Sequence, residues 1–66
     1  MAYVKNGFLI VNGPVSEICI FIGNITAISF DSDRSKCLIF TNVNDDGGWI
    51  VKESYEEIKH ALGIEQ

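Results

Sequence analysis

Five consecutive apolar residues, Ile18-Cys19-Ile20-Phe21-Ile22, place the hardest constraint on what this chain can become. Their β-branched and aromatic character, with Gly23-Asn24 directly after them, predicts a strand. Side chains alternate across a strand, so strict apolar–polar alternation would leave one face wet. Here both faces are apolar. One short helix can cover only one face of a sheet, so the other must curl onto itself as a barrel or meet a second subunit. The run therefore predicts oligomerisation, with Ile18, Ile20, Phe21 and Ile22 as the candidate interface.

Size sharpens the same expectation. A 66-residue chain is a single domain, residues 1–66, and buries only about 60% of the surface its unfolded form exposes. Its hydrophobic content is 47%, near the ordinary globular range, which leaves apolar surface for association with a copy of itself or another protein. The chain is expected to be a homodimer or higher oligomer. Charged residues make up only 21% of it, and its apolar residues are mostly Ile, Val, Leu and Phe, which excludes disorder. No apolar run approaches the roughly 18–20 residues of a membrane span. Met1 to Asn6 lacks the basic start and small-residue cleavage site of a signal peptide, so a cytoplasmic protein is expected.

Turn signals divide the chain into short apolar segments. Asn6-Gly7 follows Tyr3-Val4-Lys5, and Asn12-Gly13-Pro14 follows Phe8 to Val11 as a strong hairpin signal. Further strand-like runs are Val15 to Ile22, Ile25 to Phe30, Lys36 to Thr41 and Trp49 to Lys52, separated by Asp31–Ser35 and by Asn42–Gly48. Ser54 and Glu57 form a capping box, Glu56 and Glu57 suit the positive helix start, and Gly63 marks the stop. A helix over 54–62 places Tyr55, Ile58, Ala61 and Leu62 on one face, and two turns are too few to stand alone. The expected fold is α+β: a four- to five-stranded antiparallel β-meander, twisted or partly barrel-like, with one C-terminal α-helix docked on it.

The motifs that might carry chemistry fail on specific residues. Asp31-x-Asp33-x-Ser35 imitates the start of a calcium loop, but a glycine and a bidentate glutamate would have to stand where Lys36 and Asn42 are. Asp45-Asp46-Gly47-Gly48 is a wet loop without the burial that tunes paired acids for catalysis. His60 has no nucleophile arranged with it and suits the negative end of the helix. Cys19 and Cys37 lie in apolar strand runs and are expected to be buried free thiols, with neither a Cys-x-x-Cys nor a Cys/His zinc spacing. Asn24-Ile25-Thr26 fits a glycosylation sequon, which is expected to be a chance match because no signal peptide is read at the N-terminus. The aromatic residues are expected mostly in strand cores, not on a base-stacking platform. Net charge is −4 and the five basic residues are scattered, which disfavours nucleic-acid binding. No enzyme, metal or cofactor is expected. Partner contacts are assigned to Trp49, as an interface anchor after the loop, and to Asp45, Asp46, Asp31 and Asp33.

From Asn24 onward, Asn-Ile-Thr-Ala-Ile, a polar turn, Leu-Ile-Phe-Thr-Asn, and Trp-Ile-Val-Lys-Glu-Ser-Tyr-Glu-Glu-Ile resemble the FlbD-like flagellar proteins. They also resemble short phage and bacterial proteins ending in Val-x-Glu-Ser-x-Glu-Glu-Ile. The chain departs from the pattern at Val43 to Asp46, which lengthen a tight turn, and in the N-terminal hairpin. The resemblance implies a non-enzymatic accessory protein without cofactor. The functional expectation is a small acidic regulator or inhibitor, phage-encoded and acting on a host protein as an oligomer. The alternatives are a structural accessory of a flagellar-type assembly, or a small-ligand binder with its pocket between subunits.

Overall fold

The computed structural model describes residues 1–30, 32, 36–42 and 48–64. Among these residues the chain forms six strands and one α-helix: β1 (Tyr3–Lys5), β2 (Phe8–Asn12), β3 (Glu17–Phe21), β4 (Ile25–Ser29), β5 (Cys37–Thr41), β6 (Trp49–Val51) and α1 (Tyr55–Leu62). The fold is α+β, but the single meander of four or five strands becomes two antiparallel sheets of three, in the orders β1-β2-β3 and β4-β5-β6. Two local features account for the difference. Asn6 and Gly7 both take positive φ, 55° and 82°. That is the signature of the two-residue turn whose twist matches a hairpin, and it makes a paired strand of three-residue β1. After β3 a single 3-10 turn at Ile22–Asn24 interrupts the ladder, so β4 starts a second sheet.

The two sheets face each other across one core. Leu9, Val11 and Ile20 come from the first, Cys37, Ile39 and Val51 from the second, and Ile58 from α1. Backbone hydrogen bonds extend the ladders past the strand ends, with Ile22 N–H donating to Gly7 O (3.0 Å) beside β2–β3 and Asn42 N–H to Asn24 O (2.9 Å) beside β4–β5, while Lys52 N–H donates to Asn12 O (2.8 Å) and joins the two sheets. Gly48 leads into β6 with φ +92°, and a Cβ there would stand 2.7 Å from the Ile39 carbonyl oxygen. Only glycine lets the backbone pass so close to β5.

Helix α1 starts and stops as its sequence predicts. Ser54 Oγ accepts from Glu57 N–H at 3.1 Å. Gly63 takes φ 78°. Its N–H donates to His60 O while Ile64 N–H donates to Lys59 O, the paired bonds of a Schellman stop. The reciprocal half of the capping box is rerouted: Glu57 Oε2 accepts from Ala2 N–H at 3.0 Å. This ties the helix start to the residue before β1. Phe30 packs edge-on against Tyr55, with centroids 4.9 Å apart, and Lys59 Nζ lies 5.4 Å from the centre of the Tyr55 ring. Among the described residues no helix is long and apolar enough to cross a membrane.

Ile39 is fully buried between the sheets. Ile39→Ala should cost about 2–5 kcal/mol, a large share of the roughly 3–10 kcal/mol that stabilises a chain of this size. Outward-facing Tyr3→Ser should cost less than about 1 kcal/mol. Urea denaturation of the two variants measures both.

Candidate functional site

The register of the first sheet sorts its side chains between two faces. Val4, Leu9 and Ile20 align across the strands on the core side, as do Val11 and Ile18. Tyr3, Ile10 and Cys19 align on the outer side, as do Lys5, Phe8 and Phe21. Phe8 and Phe21 meet edge to face, with centroids 5.5 Å apart. Tyr3 and Phe21 are each 49% exposed and Phe8 is 40% exposed. Cys19 is exposed as well. A shallow depression of about 350 Å³ lies among Lys5, Asn6, Phe8, Ile10 and Cys19.

This arrangement corrects two expectations. Tyr3, Phe8, Phe21 and Trp49 are exposed and not in strand cores. Cys19 is not a buried thiol, because the helix and the second sheet both pack on the opposite face. Of the candidate interface residues, Ile20 is buried in the chain's own core and Ile18 and Ile22 pack against that core. Phe21 is the one that reaches solvent.

A second apolar surface lies at the open seam between the sheets. Trp49 aligns with Ile39 on β5, but β6 is an edge strand and its ring is 37% exposed. Beside it are Ile50, 53% exposed, and Val15, 96% exposed, at the tip of the β2–β3 turn. With Pro14 and Ile18 they line a groove of about 380 Å³. Asp31, Asp33, Asp45 and Asp46 lie outside the described residues.

Sequence reasoning missed Glu53. It stands just before the helix cap and is only 5% exposed. Its Oε1 and Oε2 accept from Asn12 N–H at 3.0 and 3.1 Å, and Oε2 also accepts from Asn12 Nδ2 at 3.0 Å. The Met1 ammonium lies 3.2 Å from Oε2. Burial works to raise the carboxyl's pKa. The donors from Asn12, from its own backbone and from the Met1 ammonium outweigh it and hold the group below its ordinary value. No local signal marks it, because its partner Asn12 lies 41 residues away. A hollow of about 550 Å³ adjoins it, bounded also by Glu17, Lys52 and Glu57. Cys37 is the opposite case: burial pushes its thiol pKa up, only partly offset by the Ser29 backbone. Among the described residues no group of three His, Cys, Asp or Glu side chains gathers as a metal site.

Two outcomes are expected. At neutral pH Glu53→Gln should destabilise the fold by about 2–4 kcal/mol, since an amide turns donors toward donors. A carboxyl whose folded pKa is lowered contributes above its unfolded pKa and loses that contribution as pH falls through the folded one. The gap between wild type and Glu53→Gln, followed by urea denaturation, should therefore close on acidification below the ordinary carboxylate range. In thiol titration, native protein should label rapidly at Cys19 alone, and Cys37 only after denaturation.

These two apolar surfaces and the Glu53 junction are what the described residues offer for function. No family model, curated protein or solved structure matches it.

Proposed function

We propose that this chain is a small non-enzymatic protein-binding module, a regulator or inhibitor that works by occupying a partner protein's surface, and that it acts as an oligomer. The observation that carries the reading is the groove at Trp49. An indole, an isoleucine and a nearly fully exposed valine flank a cleft between the β2–β3 turn and the start of β6. Aromatic anchors beside such clefts supply most of the energy of many protein interfaces. The groove is open and mostly apolar, and Ser16, its one hydroxyl, has no histidine or carboxylate beside it in the lining, so the groove suits a side chain of a partner better than a reacting substrate. The first sheet's outer face supplies separate apolar surface for self-association, so one chain can do both.

Affinity capture from lysates of relevant hosts tests this. Wild type should retain one dominant partner. Trp49→Ala should reduce that capture by about 30-fold, the loss of one strong anchor, while Ala27→Ser, at an exposed position of β4 remote from both apolar surfaces, leaves it unchanged. Equal recovery by wild type and Trp49→Ala, or no specific recovery at all, would sink the reading.

A further inference from the structure

We propose that the outer face of β1-β2-β3 is a self-complementary dimer surface that takes a second copy of this chain across a two-fold axis through Ile10. The inference rests on the oligomeric part of the reading above and supplies its geometry. Lys5 and Glu17, both exposed, stand at opposite corners of this face. Lys5 is level with Phe8 on one side of β2, and Glu17 is level with Asn12 on the other side. Strand spacing and rise separate their Cα atoms by about 16 Å. The midpoint between them falls on β2 at Ile10.

A half-turn about an axis in the plane between two stacked copies, perpendicular to that diagonal, lays each Lys5 over the other copy's Glu17. It sets Ile10 against its counterpart and Phe21 beside its own. The strands of the two sheets then cross steeply, in the orthogonal class of sheet packing, with the backbones about 10 Å apart. In such an isologous contact each pair occurs twice.

Charge identifies the occupant. Lys5 and Glu17 cancel in number, so the face carries no net charge for a basic or an acidic partner to match, although the chain as a whole carries −4. Each charge instead finds its complement on a copy, and the apolar centre of Tyr3, Phe8, Ile10, Cys19 and Phe21 meets an identical centre. The footprint, at most about 14 by 17 Å from one strand of three residues and two of five, is small beside the roughly 800 Å² per partner of a standard interface. The dimer is therefore reversible and in exchange with monomer at micromolar concentration.

Sedimentation equilibrium over a range of concentrations provides the test, with circular dichroism reporting the fold of each variant. Wild type should pass from a 7.3 kDa monomer to a dimer. Lys5→Glu and Glu17→Lys should each weaken dimerisation about tenfold or more, because each sets like charges opposite one another. The double variant Lys5→Glu/Glu17→Lys should restore it. Trp49→Ala should leave the dimer intact, which separates this inference from partner capture at the groove. A wild type that stays monomeric throughout overturns the proposal. So does a dimer indifferent to the single swaps, or one that the double swap does not rescue. In each case partner capture through Trp49 can still succeed.

Discussion

The fold hangs on a carboxylate that hydropathy alone would place in solvent. Glu53 sits at the junction of β6 and α1 and holds the far end of β2 through the backbone and side-chain N–H groups of Asn12. A buried charge of this kind is weak evidence of net stability, because its desolvation offsets much of what its partners return. Its effect is to specify position. With Asn12 and Glu53 joined, Lys52 N–H meets Asn12 O, the two sheets align across the core, and Ile58 enters the space between them. Glu57 does the same one turn further on by holding Ala2. Two carboxylates four residues apart thus fasten a helix too short to persist by itself.

How far the sequence could be followed depended on whether a feature is local. The helix and its boundaries were legible because Ser54, Glu57 and Gly63 act within a single turn. The strand segments were legible from their turn residues. Sheet membership was not, because a 3-10 turn at Ile22–Asn24 and a continued strand share the same glycine and asparagine. The interface expectation on Ile18, Ile20, Phe21 and Ile22 mixed residues of both faces, whereas alternation sends Ile18 and Ile20 inward and Cys19 and Phe21 outward. Glu53 was invisible for a related reason. Its partners are 41 residues away, and nothing in its own neighbourhood distinguishes a buried glutamate from an exposed one.

The apolar surplus of a small chain is here divided and placed. The inner faces and Ile58 make a core of short aliphatic side chains plus Cys37. Most of the bulky rings are outside or at the margins: Tyr3, Phe8 and Phe21 on one face, Trp49 at the seam. The rings are left where large area costs little ordering entropy when a contact forms. Binding surface is thus a consequence of how the core is packed.

The meander topology also has a temporal side. Every strand pairing joins neighbours along the chain, so loop-closure cost is low and the two three-stranded units can form early and separately. The connections from Glu53 to Asn12 and from Glu57 to Ala2 span 41 and 55 residues and can be made only when the helix exists. During synthesis, both sheets would be exposed on their inner faces until residues 53 to 58 leave the ribosome. Residence in that open state is the interval in which the chain is most vulnerable to proteolysis and mispairing.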